Sequence, residues 1–140
     1  MTGAGDWLAN KLLDKAFGGT DFTPAAILYV ALHTADPTTA GPSDSNEVTG
    51  TNYARVAVTN NTTNFPNASA RSKSNGTVIT FPTPGAGGWG EVTHVSLSDQ
   101  PDDTGNMYGV AELAIPNTIN QNNPVTFPVG DLDFSIPEAP

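Results

Sequence analysis

Cysteine is absent from this chain. The fold therefore cannot lean on disulfides, and zinc held by thiolates is excluded. Positive charge is scarce as well: 5 Lys and Arg stand against 14 Asp and Glu, for a formal charge of −9. The basic residues are Lys11, Lys15, Arg55, Arg71 and Lys73, and they form no dense run. Nucleic acid is therefore not an expected partner, because such binding draws on the neutralisation of phosphates by Lys and Arg. No stretch approaches the roughly 20 apolar residues of a membrane helix, so a membrane partner is not expected. Met1 to Asp6 contains no basic segment followed by an apolar one, and no secretory leader is expected. What is plentiful is Gly, at 14, and Pro, at 12, the punctuation of many turns between short strands. At 140 residues the chain reads as one domain, long enough to bury a sizeable core.

Helical patterning is confined to the start. Leu8, Leu12, Leu13, Ala16 and Phe17 recur on one face at helical spacing. Asp6 can cap the N-terminus, Lys11 and Lys15 sit toward the favourable end of the dipole, and Gly18-Gly19 supply a stop. Residues 1–19 thus read as an N-terminal helical segment and 20–140 as a β domain. Residues 26–34 are nearly all apolar, which suits a central strand covered on both faces. Residues 53–59 alternate, placing Ala54, Val56 and Val58 opposite Tyr53, Arg55 and Ala57. Further strands are expected at 77–81, 91–98, 107–114, 124–127 and 132–136. In 91–98, Thr93, Val95 and Leu97 share one face and Val92, His94 and Ser96 the other. The expected fold is all-β: a sandwich of about seven strands, jelly-roll or immunoglobulin-like, with a short N-terminal helix.

Chemistry-bearing patterns are sparse. His33 and His94 each fall in a strand, and no Gly-x-Ser-x-Gly elbow accompanies them, so they read as sheet residues rather than members of a triad. The acidic loop at 99–106 offers oxygen ligands but lacks the spacing of a calcium loop that ends in a bidentate Glu; a solvated turn explains it equally well. The glycines at 85–90 lack the Lys and Ser/Thr of a phosphate loop. No catalytic residue, cofactor or metal ligand is assigned. An acid pair, such as Glu91 and Glu112, is a spatial question that sequence leaves open. Trp89, Tyr53 and Tyr108 would be the stacking platforms if this were a carbohydrate-binding module. Phe22 and Trp89 read as core. Trp7 lies off the helical stripe and divides evenly between core and interface, since aromatics are enriched at interface hot spots.

One set of phrases runs through the chain in order. Asn10-Lys11-Leu12-Leu13-Asp14 precedes Thr20-Asp21-Phe22-Thr23-Pro24; Leu28-Tyr29-Val30-Ala31-Leu32-His33-Thr34-Ala35-Asp36-Pro37 precedes Glu47-Val48-Thr49-Gly50 and Tyr53-Ala54-Arg55. Thr80-Phe81-Pro82, Trp89-Gly90-Glu91-Val92-Thr93-His94-Val95 and Gly130-Asp131-Leu132 follow. In this order the chain resembles a family of small structural proteins of tailed bacteriophages, variously labelled head decoration, cement or tail fibre protein. It departs from that pattern in a longer, Asn-rich region from 60 to 75. The resemblance implies a β-sandwich virion component without enzymatic activity, made in the host bacterial cytoplasm. The leading expectation is a capsid decoration or cement protein, homo-oligomeric on the capsid surface and bound across subunits of the major capsid protein. A tail, neck or fibre-base component is the alternative. Partner contacts are expected from the N-terminal segment, through Trp7, Leu8, Leu12 and Phe17, and from the loop at 36–50, through Asp36, Pro37 and Glu47.

Overall fold

The computed structural model describes residues 3–40 and 46–138. Its elements are β1 (Gly3–Ala4), α1 (Asp6–Ala16), β2 (Ile27–His33), β3 (Val56–Thr59), β4 (Ser72–Ser74), β5 (Ile79–Thr80), β6 (Gly90–Ser98), β7 (Met107–Ile119), β8 (Thr126–Phe127) and β9 (Asp133–Ser135). Five strands form an antiparallel sheet in the order β1-β7-β6-β2-β3, and β4–β9 and β5–β8 form two short ribbons. The fold is all-β with one short helix. Where a sandwich would place a second full sheet, this chain places the two ribbons.

Register shows why the sheet is buried on both sides. Val30 lies opposite Leu97 and Val56, Leu32 opposite Val95, and Val95 opposite Ala111, so aliphatic side chains meet rung by rung on one face. Ile79 and Phe127 from the β5–β8 ribbon join this cluster, together with Phe65, Phe81 and Leu132. On the other face Ala31 lies opposite Ser96, and His33 opposite His94. His33 and Ser96 are fully buried, and the imidazole Nε2 and the Ser96 hydroxyl are 2.7 Å apart. A polar pair can sit there because each member satisfies the other. Both histidines are thus sheet residues, as their strand setting implies.

The pairing of β6 with β7 shifts register twice, between Leu97 and Ser98, where Tyr108 is the extra residue, and more widely between Val92 and His94. His94 faces Glu112 and Val92 faces Asn117, so Leu113, Ala114, Ile115 and Pro116 stand against Thr93 alone. This wide bulge carries β7 past the expected end at 114, and it accommodates Pro116, which has no N–H to give a ladder. It also brings Val92 into the same buried cluster as Val95 and Leu97, where strict alternation had put it on the opposite face.

Two strands escaped the sequence pattern. β4 is Ser-Lys-Ser and has no apolar alternation, and β1 has two residues. β1 nevertheless matters, because it stitches the N-terminus to β7, Gly3 pairing with Val110 and Ala4 with Gly109. The chain then turns into α1 at Gly5, whose N–H donates to the Tyr108 carbonyl at 2.9 Å. A Cβ on Gly5 would lie 2.0 Å from the Met107 carbonyl oxygen, so only glycine permits this approach. Gly5, extended, is the N-cap, and Asp6 sits in the first turn without a side-chain cap bond, where its charge still complements the dipole. Gly18 and Gly19 carry positive φ after the helix, as expected of a stop.

Candidate assembly surfaces

The first surface is α1 itself. No residue of the helix is fully buried. Trp7 and Leu8 are half-buried and pack against the core cluster. The Trp7 ring stacks on Tyr108 at 5.4 Å and meets the edge of Phe22 at 6.1 Å, while Lys11 Nζ lies 5.9 Å from its centre. Trp7 therefore anchors the helix to its own domain. Leu12, Leu13 (55% exposed) and Phe17 (81% exposed) remain outward. Beside them a groove of about 590 Å³ runs between Ala9, Leu12, Leu13 and Ala16 of the helix and Ile136 and Pro137 near the C-terminus. Exposed Leu and Phe beside an apolar groove make this face a candidate contact surface.

The second is the loop after β2. Residues 41–45 lie outside the described residues, and with them part of the expected contact loop. Of the rest, Asp36 accepts the Thr38 N–H at 2.8 Å and is half-exposed, whereas Pro37 is buried and presents no surface. Glu47 is likewise engaged inside the chain. Its two carboxylate oxygens accept the Arg55 fork, Oε1 from Nε at 2.9 Å and Oε2 from Nη2 at 2.6 Å. Oε1 also accepts the Tyr53 hydroxyl at 2.8 Å, and that hydroxyl in turn accepts the Leu32 N–H at 2.9 Å. Of the loop residues expected to meet a partner, Pro37 and Glu47 are thus committed to internal packing.

Arg55 is the hub that sequence reasoning missed. Its side chain is 3% exposed. Besides the Glu47 fork, its Nη1 is shared among the Ser98 hydroxyl and the carbonyls of Gln100 and Asp102, at 2.8–3.0 Å. One guanidinium thereby ties β6, the residues before β3, the Glu47 segment and the 99–106 loop together. The available signal was the alternation at 53–59, which puts Tyr53 and Arg55 on one face; their partner lay across a loop.

Burial pushes the Tyr53 phenol well above its ordinary value of 10.0, with the Glu47 charge adding to the shift. The linkage sign follows directly. The folded state holds this proton more tightly than the unfolded chain, so the associated stability is complete below pH 10.0 and is lost as pH rises from there toward the folded-state value. We expect equilibrium unfolding to show stability falling above about pH 10, and Tyr53→Phe to make that fall shallower. The same slope in the variant would mean that Tyr53 is not its source.

The remaining candidates resolve into structure. In the acidic loop, Asp99 accepts the backbone N–H and side-chain amide of Asn106, and Asp102 accepts the Thr104 N–H and hydroxyl. The Thr104 bonds hold the Asp102 carboxyl below its usual range. Trp89 and Tyr108 are buried, and Tyr53 is packed edge-on to Trp89 at 5.3 Å. These rings are core, so the stacking platform of a carbohydrate module is not on the surface. Glu91 faces Thr118 while Glu112 is level with His94, on separate rungs, and the cleft that Glu112 lines does not include Glu91.

Among the described residues no buried side-chain polar atom lacks a partner, while Leu13 and Phe17 stand exposed. The family described as podophage GP4 fiber I protein gp80 matches residues 3–135. The chain belongs to this family. It is a bacteriophage virion structural protein. The match runs from β1 through β9 and so spans the helix, the main sheet and both ribbons of this chain. No curated protein matches the chain.

Proposed function

We propose that this protein is a fibre-region component of the phage tail, attached to its neighbours through the exposed face of α1. The observation that carries the reading is the match of residues 3–135 to a fibre protein family. The physical support is the apolar surface of Leu12, Leu13 and Phe17 with its adjoining groove. Burial of a few such side chains supplies the central anchor that interfaces require. In this role the protein binds and bears load, and it carries out no catalytic step. It repeats around a symmetric tail, so modest contacts per copy add up through multivalency.

The alternative is head decoration, with the same face set against the major capsid protein and against sister copies. Its support is shape: among the described residues there is one 11-residue helix and no extended shaft, which suits a cap on a shell as well as the base of a fibre. The two readings differ in copy number per particle.

Both predict the same outcome at α1. The double variant Leu13→Glu/Phe17→Glu alters exposed positions only, so the isolated protein should keep its stability within about 0.5 kcal/mol. Phage grown with the variant as sole source should lack the protein in purified particles, read by mass spectrometry. Normal incorporation of a folded double variant would remove α1 from the attachment surface.

A further inference from the structure

A second cleft lies away from α1. About 470 Å³ opens between the β7 bulge and residues 125–133, within the roughly 300–1,000 Å³ of clefts that hold ligands. Its walls include Val95, Ala111, Phe127 and Leu132, all core residues, so it reaches through to the main cluster. Three carboxylates also line it, those of Glu112, Asp131 and Asp133; all three residues are exposed, and Asp133 accepts the Ser72 and Ser74 hydroxyls. Ile115, at the bulge beside the mouth, is 80% exposed. Nothing in the family description or the proposed attachment through α1 accounts for this combination.

We propose that the cleft is a docking site for a segment of another protein that carries an aliphatic or aromatic side chain flanked by Lys or Arg. The apolar walls reward an anchor side chain, and Ile115 extends that contact outward. Charge selects among possible occupants. A second copy of this chain would bring its own Glu112, Asp131 and Asp133 to the same rim, and the chain as a whole carries −9, so self-association here sets like charges together. A neutral small molecule over the mouth would take the exposed Asp131 carboxylate from water without giving it a counter-charge. A basic segment does neither. The inference does not depend on whether the protein sits on the tail or the head.

The test is selection of a random displayed peptide library against the full-length protein, followed by titration of the selected peptides into isotopically labelled protein. The expected result is enrichment of peptides with an apolar residue adjacent to Lys or Arg, with resonance shifts centred on Val95, Ala111, Ile115 and Phe127. Reversal of an exposed rim charge, Asp131→Lys, should weaken binding at least about tenfold, as should raised salt. Ala111→Phe, which fills the cleft, should abolish binding if it folds; Asp131→Lys keeps the test valid if it does not. No enrichment, enrichment without basic residues, shifts mapping elsewhere, or dimerisation through Ile115 would each overturn the proposal.

Discussion

Replacing Arg55 with Ala should destabilise the protein by about 3–5 kcal/mol, the usual cost of removing one partner from a buried ion pair. The reason is what stays behind. Glu47 would keep its charge in a largely buried position with, among the described residues, only the Tyr53 hydroxyl to answer it. The Ser98 hydroxyl and the carbonyls of Gln100 and Asp102 would lose a charged donor in the same step. Arg55→Lys should recover only part of the loss, because an ammonium cannot reproduce the two-pronged contact with Glu47 or reach β6 and the 99–106 loop together. Denaturant unfolding measures the difference. If Arg55→Ala costs less than about 1 kcal/mol, the pair behaves as a surface pair and the hub assignment is wrong.

Trp89→Ala should cost a similar amount, about 3–5 kcal/mol, as large aromatic deletions in cores do. Trp89 is buried, its ring meets Tyr53 and Phe81, and its indole N–H donates to the Thr51 carbonyl at 3.0 Å. Its neighbours are fitted closely around it: a Cβ on Gly50 would stand 2.3 Å from the indole Cδ1. Deletion therefore leaves a cavity, and the Thr51 carbonyl keeps only the Gly85 N–H of its two donors. Trp89→Phe should cost less, since it keeps a ring and loses only the donor and part of the volume. With Trp7 as the sole remaining tryptophan, fluorescence of the Ala variant should also lose its buried component. A variant that unfolds at the wild-type midpoint would place Trp89 outside the core.

The elements with strong patterning were readable from residues alone. The nearly all-apolar run at 26–34 announced β2 as an interior strand, and the stripe from Leu8 to Phe17 with its glycine stop announced α1. The acidic loop was legible as a turn because Asx-type side chains next to Gly and Thr make their own local bonds. What was hidden depends on distant partners. β4 has no apolar alternation, and its pairing with β9 is visible only once Phe134 and Asp133 are brought alongside. Pro116 marks a break in the ladder, but the extent of the bulge at Leu113–Pro116 could not be foreseen, since nothing in β7 says that Thr93 will face four residues. The same reason hid the acidic cleft, which the bulge helps to form. The expected contact residues divide along this line as well. Leu12 and Phe17 lie outward as helical spacing suggests, whereas Pro37 and Glu47 looked like exposed loop residues until Arg55 and the sheet closed around them.

The measurement that bears most directly on the account is the amount of this protein in purified phage particles, quantified by mass spectrometry against the major capsid protein. A fibre-region component should be present reproducibly and at a small fraction of the capsid protein. A ratio within a few-fold of the capsid protein would contradict the tail assignment and move the protein to the head, and its absence from particles would contradict a role in the virion altogether.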